Sequence, residues 1–264
     1  MKKLATALVS AAAIMTMSTT AFAAENSAEV FDRVMEKNNT IQSAEIQSGV
    51  HSVILAKDVI PDGQMKVDMA MHAEMDMQDT TDLKYLAQVA SSILGQDSYS
   101  QVFYTDGYYY VDSNGVKLKY PMPLEQIISS VQTGVNTSNM ESSYMKGISL
   151  NEVNGKRVLA YEANPKKLNK NVKEALGTVM NTLGTDVNLD MNIQEMKGAY
   201  VLDDNDYIIY MTNYIVYNME VLDQPMTCIT LMETEVQNPG EPVVVTLPST
   251  DGYEDLNWFI RWSH

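Results

Sequence analysis

The chain of 264 residues carries 34 acidic and 18 basic side chains, which gives a formal net charge of −16 at pH 7. A surface this acidic repels nucleic-acid phosphates and anionic lipids, so the charge argues against nucleic-acid binding. Cys228 is the only cysteine, so no internal disulfide can form and apolar burial must hold the core.

The N-terminal residues have the pattern of an export signal. Lys2 and Lys3 precede an apolar stretch, and Ala21-Phe22-Ala23 is typical of a signal-peptidase site. We expect cleavage after Ala23 and a secreted or extracytoplasmic protein. No later stretch approaches the roughly 18 apolar residues of a spanning helix, so no integral membrane segment is expected after signal removal. The expected organisation is a signal peptide at 1–23, a single domain at 24–250 and an aromatic tail at 251–264.

The first half of the chain predicts two helices and two strands. Asn26 and Glu29 form a capping pair before a helix, and a strand is predicted at Ala44–Ala56. In Gln64–Gln78 the odd positions are apolar and the even ones mostly polar, which indicates a long strand with one buried face. Helical spacing of apolar residues predicts a second helix at Thr81–Leu94.

The remaining elements are predicted from turn signals and periodicity. Three short strands are joined by Asp106-Gly107 and Asn114-Gly115, and amphipathic helices are expected at Pro123–Val131 and Pro165–Leu183. The predicted strands are Gln101–Thr105, Tyr108–Val111, Val116–Tyr120, Tyr144–Val153, Lys156–Ala163, Val187–Leu202, Tyr207–Leu222, Thr227–Val236 and Pro242–Leu247. The fold class is therefore α+β, with one strongly curved antiparallel sheet and lid helices on its concave side.

The Met-rich run M-K-V-D-M-A-M-H-A-E-M-D-M and the hairpins Y-T-D-G-Y-Y-Y-V-D-S-N-G-V-K-L-K-Y carry a family resemblance. With the signal peptide, first helix and two amphipathic helices, they resemble the lipoprotein-localisation-factor-like (LolA/LppX-like) superfamily over about residues 26–248. The chain is similar, more narrowly, to uncharacterised secreted proteins of Gram-positive bacteria. The resemblance implies an open half-barrel that carries a lipid or a lipoprotein acyl chain. Unlike many such relatives, this chain has no lipobox cysteine.

Three long apolar strand faces are the candidate ligand-binding site. Met adapts to irregular shapes, so a Met-rich face suits either a ligand cavity or a plain packed core, and the sequence leaves both open. The candidate residues are Met65, Val67, Met69, Met71, Met75, Met77, Val187, Leu189, Met191, Ile193, Tyr207, Ile209, Met211, Ile215 and Tyr217.

Other chemistries have weaker sequence support. Copper is disfavoured because His72 lies on the strand face opposite the Met-x-Met pairs, and the tyrosines could instead form a sugar platform. No nucleophile motif is present, and Asp203–Asp206 is interpreted as a polar turn, so no catalytic residue, metal site or cofactor is predicted. The alternative function is an envelope interaction or sensor module with a filled core, in which the Trp-containing tail could contact a protein partner.

Overall fold

The computed structural model describes residues 26–56, 60–79, 83–123, 140–170, 191–221 and 224–256. This part of the chain is mostly β-sheet, with few helices. The elements are α1 (Ser27–Asn38), β1 (Ser43–Leu55), β2 (Gln64–Asp76), β3 (Lys84–Ile93), β4 (Gln96–Thr105), β5 (Tyr108–Ser113), β6 (Val116–Pro121), β7 (Met145–Val153), β8 (Lys156–Ala163), β9 (Met191–Leu202), β10 (Ile208–Val221), β11 (Gln224–Gln237) and β12 (Glu254–Asp255).

The strands form one sheet in the order β12-β6-β5-β4-β3-β2-β1-β11-β10-β9-β8-β7. Adjacent strands from β3 to β6 and from β7 to β10 are antiparallel, whereas the two-residue β12 runs parallel to β6. The chain divides into two compact units. The first unit takes its residues from 1–34, 50–67 and 140–233, and the second takes them from 35–49, 68–139 and 234–264.

The first helix follows its sequence signals closely. Asn26 caps α1 through its side-chain oxygen, which accepts a hydrogen bond from the Ala28 N–H at 3.1 Å, and its amide donates to Glu29 at 3.0 Å. The apolar stripe predicted for this helix is buried. Phe31 is fully buried and lies edge-on to Tyr161 at 5.8 Å between ring centroids, so α1 covers one face of β8 in the first unit.

Asp206, in the turn before β10, ties this helix to the sheet. Its carboxylate accepts hydrogen bonds from Arg33 Nε at 2.9 Å and Arg157 Nη1 at 2.5 Å. Burial acts to raise the pKa of this carboxyl, but the hydrogen bonds and charges of the two arginines outweigh it and leave the pKa below its ordinary value. The ionised carboxylate therefore stabilises the folded chain.

Replacing Asp206 with asparagine should lower the free energy of unfolding by about 1–2 kcal/mol at pH 7, since both arginines are partly exposed. The folded-state pKa is depressed, so this contribution is present above the unfolded-state pKa and is lost as the pH falls through the folded-state value. In urea titrations of both proteins between pH 7 and pH 3, the difference in stability should shrink as the pH falls below the unfolded-state pKa. The matched control is Glu162→Gln, which breaks a largely exposed pair with Lys146 and should cost under about 0.5 kcal/mol. A gap between Asp206→Asn and the parent that persists at low pH would contradict the ionic origin.

Several predictions about the elements need correction. The helix predicted at Thr81–Leu94 is wrong, because residues 84–93 form strand β3, hydrogen-bonded to β4. The strand predicted at Pro242–Leu247 is also wrong, since these residues form no ladder. Of the two predicted lid helices, the one at Pro123–Val131 lies almost wholly outside the described residues. Residues 165–170 of the other are helical, and the rest of it is likewise outside the described part.

In the second unit, the segment before β12 fills one face of the β3–β6 sheet. Phe103 and Tyr110 stack at 4.6 Å, and Tyr253 meets both rings edge-on at 5.6 and 5.1 Å. Val245 is buried in the same cluster, with Leu86. This face of the second unit is therefore closed by the chain's own C-terminal segment, which leaves the opposite face to be considered as a site.

Candidate functional site

Four tyrosines form a continuous row across the opposite face of the β3–β6 sheet. The strand register pairs Tyr85 with Tyr104, Tyr104 with Tyr109, and Tyr109 with Tyr120. Because side chains two residues apart share a face, the next row on this side is Ala87, Val102, Val111 and Leu118. We call these eight residues the tyrosine face.

The two-residue turns of the hairpins fix this register. Asp106-Gly107 and Asn114-Gly115 have positive φ at both positions, as a type I′ turn requires, so each turn sets which residues lie opposite one another. Aromatic and β-branched side chains favour strands, which suits every member of the face except alanine and leucine. The apolar rows are therefore built by local sequence signals rather than by distant contacts.

The phenol groups of the tyrosine face are largely shielded from water, yet they make few hydrogen bonds to the described residues. Burial raises the pKa of Tyr85, Tyr104 and Tyr120, and it raises that of Tyr109 furthest, with smaller contributions from Tyr85 and Tyr120. Among the described residues, the row's one hydrogen bond through a hydroxyl runs from Tyr104 to the Met122 carbonyl at 3.3 Å. The neutral hydroxyls of the other three tyrosines can therefore donate to an acceptor that the described chain does not supply.

Within the second unit, Met69, Met71 and Met75 of β2 lie on the same side of the sheet as the tyrosine face. The Glu74 carboxylate accepts a hydrogen bond from the Thr246 backbone N–H at 3.4 Å, and Thr246 belongs to the segment that covers the opposite side. Side chains alternate along a strand, so the odd-numbered neighbours of Glu74 point the other way. Within the second unit, Met75 and Met77 are buried on that side, Met71 is half-buried and Met69 is 39% exposed.

The polar side of β2 holds a small charged cluster. His72 Nε2 lies 3.1 Å from Glu45 Oε1 and 3.8 Å from Glu74 Oε1. In residues 68–76 sulfur-bearing and acid-bearing side chains alternate along a regular strand, and whether the sulfur-bearing side faces a cavity stays a prediction. Within the described residues, no group of three or more His, Cys, Asp or Glu side chains is arranged to hold a metal ion.

The other candidate residues lie in the first unit or outside the described part. Met65 and Val67 are half-buried, and Val187 and Leu189 are not described. Ile193 is buried against Leu168, with Ile215 and Tyr217 packed beside it, so these residues belong to a core cluster. Half-buried positions are also occupied by Met191, Tyr207, Ile209 and Met211. Whether any of these residues contacts a ligand stays a prediction.

Two β-bulges change which of these residues share a face. Ile208 pairs with Leu202 and Met211 pairs with Tyr200, so Ile208, rather than Ile209, shares a face with Met211. A second shift places both Ile193 and Met196 on the side of Ile215 and Tyr217. Strict alternation along the sequence does not reveal a bulge, which is why the predicted odd-numbered face is interrupted here.

A separate, polar depression of about 370 Å³ lies in the first unit, where α1 and β7 begin. Its lining contains none of the candidate residues. It is formed by Asn26, Ser27, Ala28, Ser142, Met145, Lys146, Gly147 and Ile148. Its polar, open character does not suit an apolar ligand.

The chain belongs to a family of unknown function, DUF6612, whose model matches residues 26–248. No match to a curated protein was found. Among solved structures, the chain is similar to LprF from Mycobacterium bovis, with 10% identity, TM-score 0.38, and coverage of 84% of this chain and 97% of that chain. It is also similar to the Mycobacterium tuberculosis lipoprotein LppX, with 9% identity, TM-score 0.36, and coverage of 83% and 98%. At these scores the likeness assigns no function.

Within the described residues, no helix is long and apolar enough to cross a membrane.

Proposed function

We propose that this protein is a non-enzymatic, extracytoplasmic binding protein that holds a lipid or a lipoprotein acyl chain against the tyrosine face. The observation that carries the proposal is the row of four tyrosines beside a row of aliphatic residues, all on one side of one sheet. The opposite side of the same sheet is filled by the chain's own C-terminal segment. On the tyrosine side Tyr104 and Ala87 are buried and the other six members are half-buried, so an apolar ligand would contact mainly those six.

The composition of the face suggests the character of the ligand. Aliphatic side chains and Met71 would contact a hydrocarbon chain, whose burial contributes roughly 25 cal/mol per Å² before ordering costs. The hydroxyls of Tyr85, Tyr109 and Tyr120, which make no hydrogen bond to the described residues, would donate to an acceptor such as an ester or carboxyl oxygen. A long-chain ester or acid would contact the aliphatic side chains with its hydrocarbon and accept hydrogen bonds from the tyrosine hydroxyls with its oxygens. In this proposal the sheet curves into a half-barrel around the ligand.

The test is to extract freshly purified, natively exported protein with organic solvent and to compare native with denaturing mass spectra. We expect an apolar molecule of several hundred daltons that leaves the protein on denaturation. Ligand-free protein should then bind palmitate or phosphatidylcholine, with displacement of a neutral fluorescent naphthylamine probe as the readout. A protein that carries no such molecule and binds neither lipid contradicts the proposal and favours the filled-core interaction module.

A further inference from the structure

The turn between β3 and β4 departs from the other hairpins of this chain. Three two-residue turns use Asp106, Asn114 and Asn154 before a glycine, with φ of 52°, 50° and 52°. At the corresponding position of the β3–β4 turn stands Leu94, with φ of 53°. Asn and Asp tolerate this left-handed conformation far better than leucine does, so Leu94 costs the hairpin stability without helping the turn.

Leu94 is also exposed. Its side chain is 69% accessible, and that of Ile93 next to it is 43% accessible. Two neighbouring aliphatic side chains at the apex of a hairpin therefore face solvent, one of them in an unfavourable backbone conformation. A position that violates both the turn preference and the burial preference is typical of a functional site.

The hairpin is depleted of charge and projects from its neighbour. Between Tyr85 and Tyr104 the sole charged side chain is Asp97, in a protein of which 20% of residues are charged. The ladder between β4 and β5 ends at Ser100, so residues 96–98 continue past β5. With the turn, this projection amounts to about 10 Å.

From these observations we infer that the Ile93-Leu94 apex inserts into a lipid surface of low charge. A convex two-residue apex needs a matching groove on a protein, whereas a bilayer accepts it without one. The apex side chains alone need to reach the boundary between headgroups and acyl chains, and Asp97, three residues from Leu94, then stays at the level of the headgroups. The net charge of −16 and the lack of basic residues on the hairpin select a zwitterionic surface over an anionic one. Tyr99, 43% exposed near the base, suits the interface itself.

Ile93 of the apex lies on the same side of the sheet as the tyrosine face. Ile93, Val89 and Ala87 have the same parity as Tyr85 along β3, so they point to the same side of the sheet. Ser91 and its partner Ser98, which are hydrogen-bonded to each other, lie between Val89 and Ile93 on this side, so the apex is an apolar feature separate from the tyrosine face. Insertion of the apex does not depend on the ligand proposal, because the two can be measured separately.

The test is flotation of the natively exported protein with phosphatidylcholine vesicles, comparing the parent with Leu94→Asn. Asparagine matches the turn residues at positions 114 and 154, so the variant should unfold at the same temperature as the parent or higher. We expect it to bind vesicles about tenfold more weakly, because one large aliphatic side chain no longer enters the lipid. The matched control is Val244→Asn, which removes an aliphatic side chain that is 89% exposed elsewhere, and it should bind as the parent does.

Two further measurements separate this inference from its competitors. Binding should persist in 0.5 M NaCl and weaken when anionic lipid is added, as expected for insertion by an acidic protein. A truncation after Leu256, which removes both tryptophans, should retain the dependence on Leu94. Failure of the parent to bind phosphatidylcholine vesicles, or equal binding by Leu94→Asn, would overturn the inference, even if an apolar ligand is found in the protein.

Discussion

Replacing Gly198 with alanine is expected to lower the free energy of unfolding by about 3 kcal/mol, the largest stability effect we anticipate from adding a single methyl group. A Cβ at this position would lie 2.5 Å from the Thr212 carbonyl oxygen, and the Asn213 side-chain oxygen would be closer still. Both residues belong to β10, which pairs with β9 along its length, so neither can withdraw without breaking the ladder.

The contacts around Gly198 explain why Thr212 and Asn213 cannot move away from an added methyl group. The Tyr161 hydroxyl donates a hydrogen bond of 2.5 Å to Asn213 and would lie 2.8 Å from the added Cβ. Burial raises the pKa of Tyr200, next to Tyr161, to about 12, and both rings pack against Phe31 of α1. Displacing the Tyr161 hydroxyl would therefore disturb the packing of α1 as well as the sheet.

The matched control is Gly147→Ala in β7 of the same unit. A Cβ there meets no heavy atom within 4 Å, so the variant should be neutral or slightly stabilising. Urea unfolding followed by far-UV circular dichroism measures both variants. Equal stability of the two would show that the close approach at Gly198 does not constrain the fold.

The largest effect on binding is expected from Val102→Asp, which places a carboxylate at the centre of the tyrosine face. Because an ionised group pressed against hydrocarbon loses its hydration, the affinity for palmitate should fall by roughly a hundredfold. Ala90→Asp is the matched control, since it adds the same charge to the same hairpin at an exposed position on the opposite side. It should bind lipid as the parent does.

Val102→Asp could also weaken the sheet, so a second variant keeps the prediction testable. Replacing Tyr85, Tyr109 and Tyr120 together with phenylalanine retains the rings and removes the donors. This variant should fold and should bind a plain alkane as well as the parent does. Its preference for palmitate over the alkane should fall by about fivefold for each hydroxyl that contacts the ligand, because a hydrogen bond contributes around 1 kcal/mol. Unchanged preference would mean that the hydroxyls do not contact the ligand.

Much of the β-structure could be predicted from local sequence signals. The three Asp-Gly and Asn-Gly turns and the first helix are where the patterns place them, and β2 spans the alternating run. Part of the tyrosine row could also be predicted from the positions of the turns. Counting outward from Asp106-Gly107 and Asn114-Gly115 places Tyr104, Tyr109 and Tyr120 opposite one another, although the candidate site omitted them.

The error at β3 has a physical cause. Both faces of this strand are covered or apolar, since Leu86 packs under the C-terminal segment while Ala87 and Val89 lie on the tyrosine side. Apolar residues on both sides erase the period of two, and the remaining spacing imitates a helix. Leu94-Gly95 was also interpreted as the end of a helix, because leucine is unusual at the first position of a two-residue hairpin turn. Bulges in the β9–β10 ladder, like this turn, depend on tertiary context that periodicity does not carry.

Binding of an apolar ligand against the tyrosine face is tested most directly by tyrosine-selective NMR. Protein labelled at its tyrosine rings is titrated with palmitate in the full-length form. We predict shifts and ligand contacts for Tyr85, Tyr104, Tyr109 and Tyr120, with little change for Tyr110 and Tyr253 on the closed side. Shifts confined to the closed side, or no shifts at saturating palmitate, would contradict binding at this face.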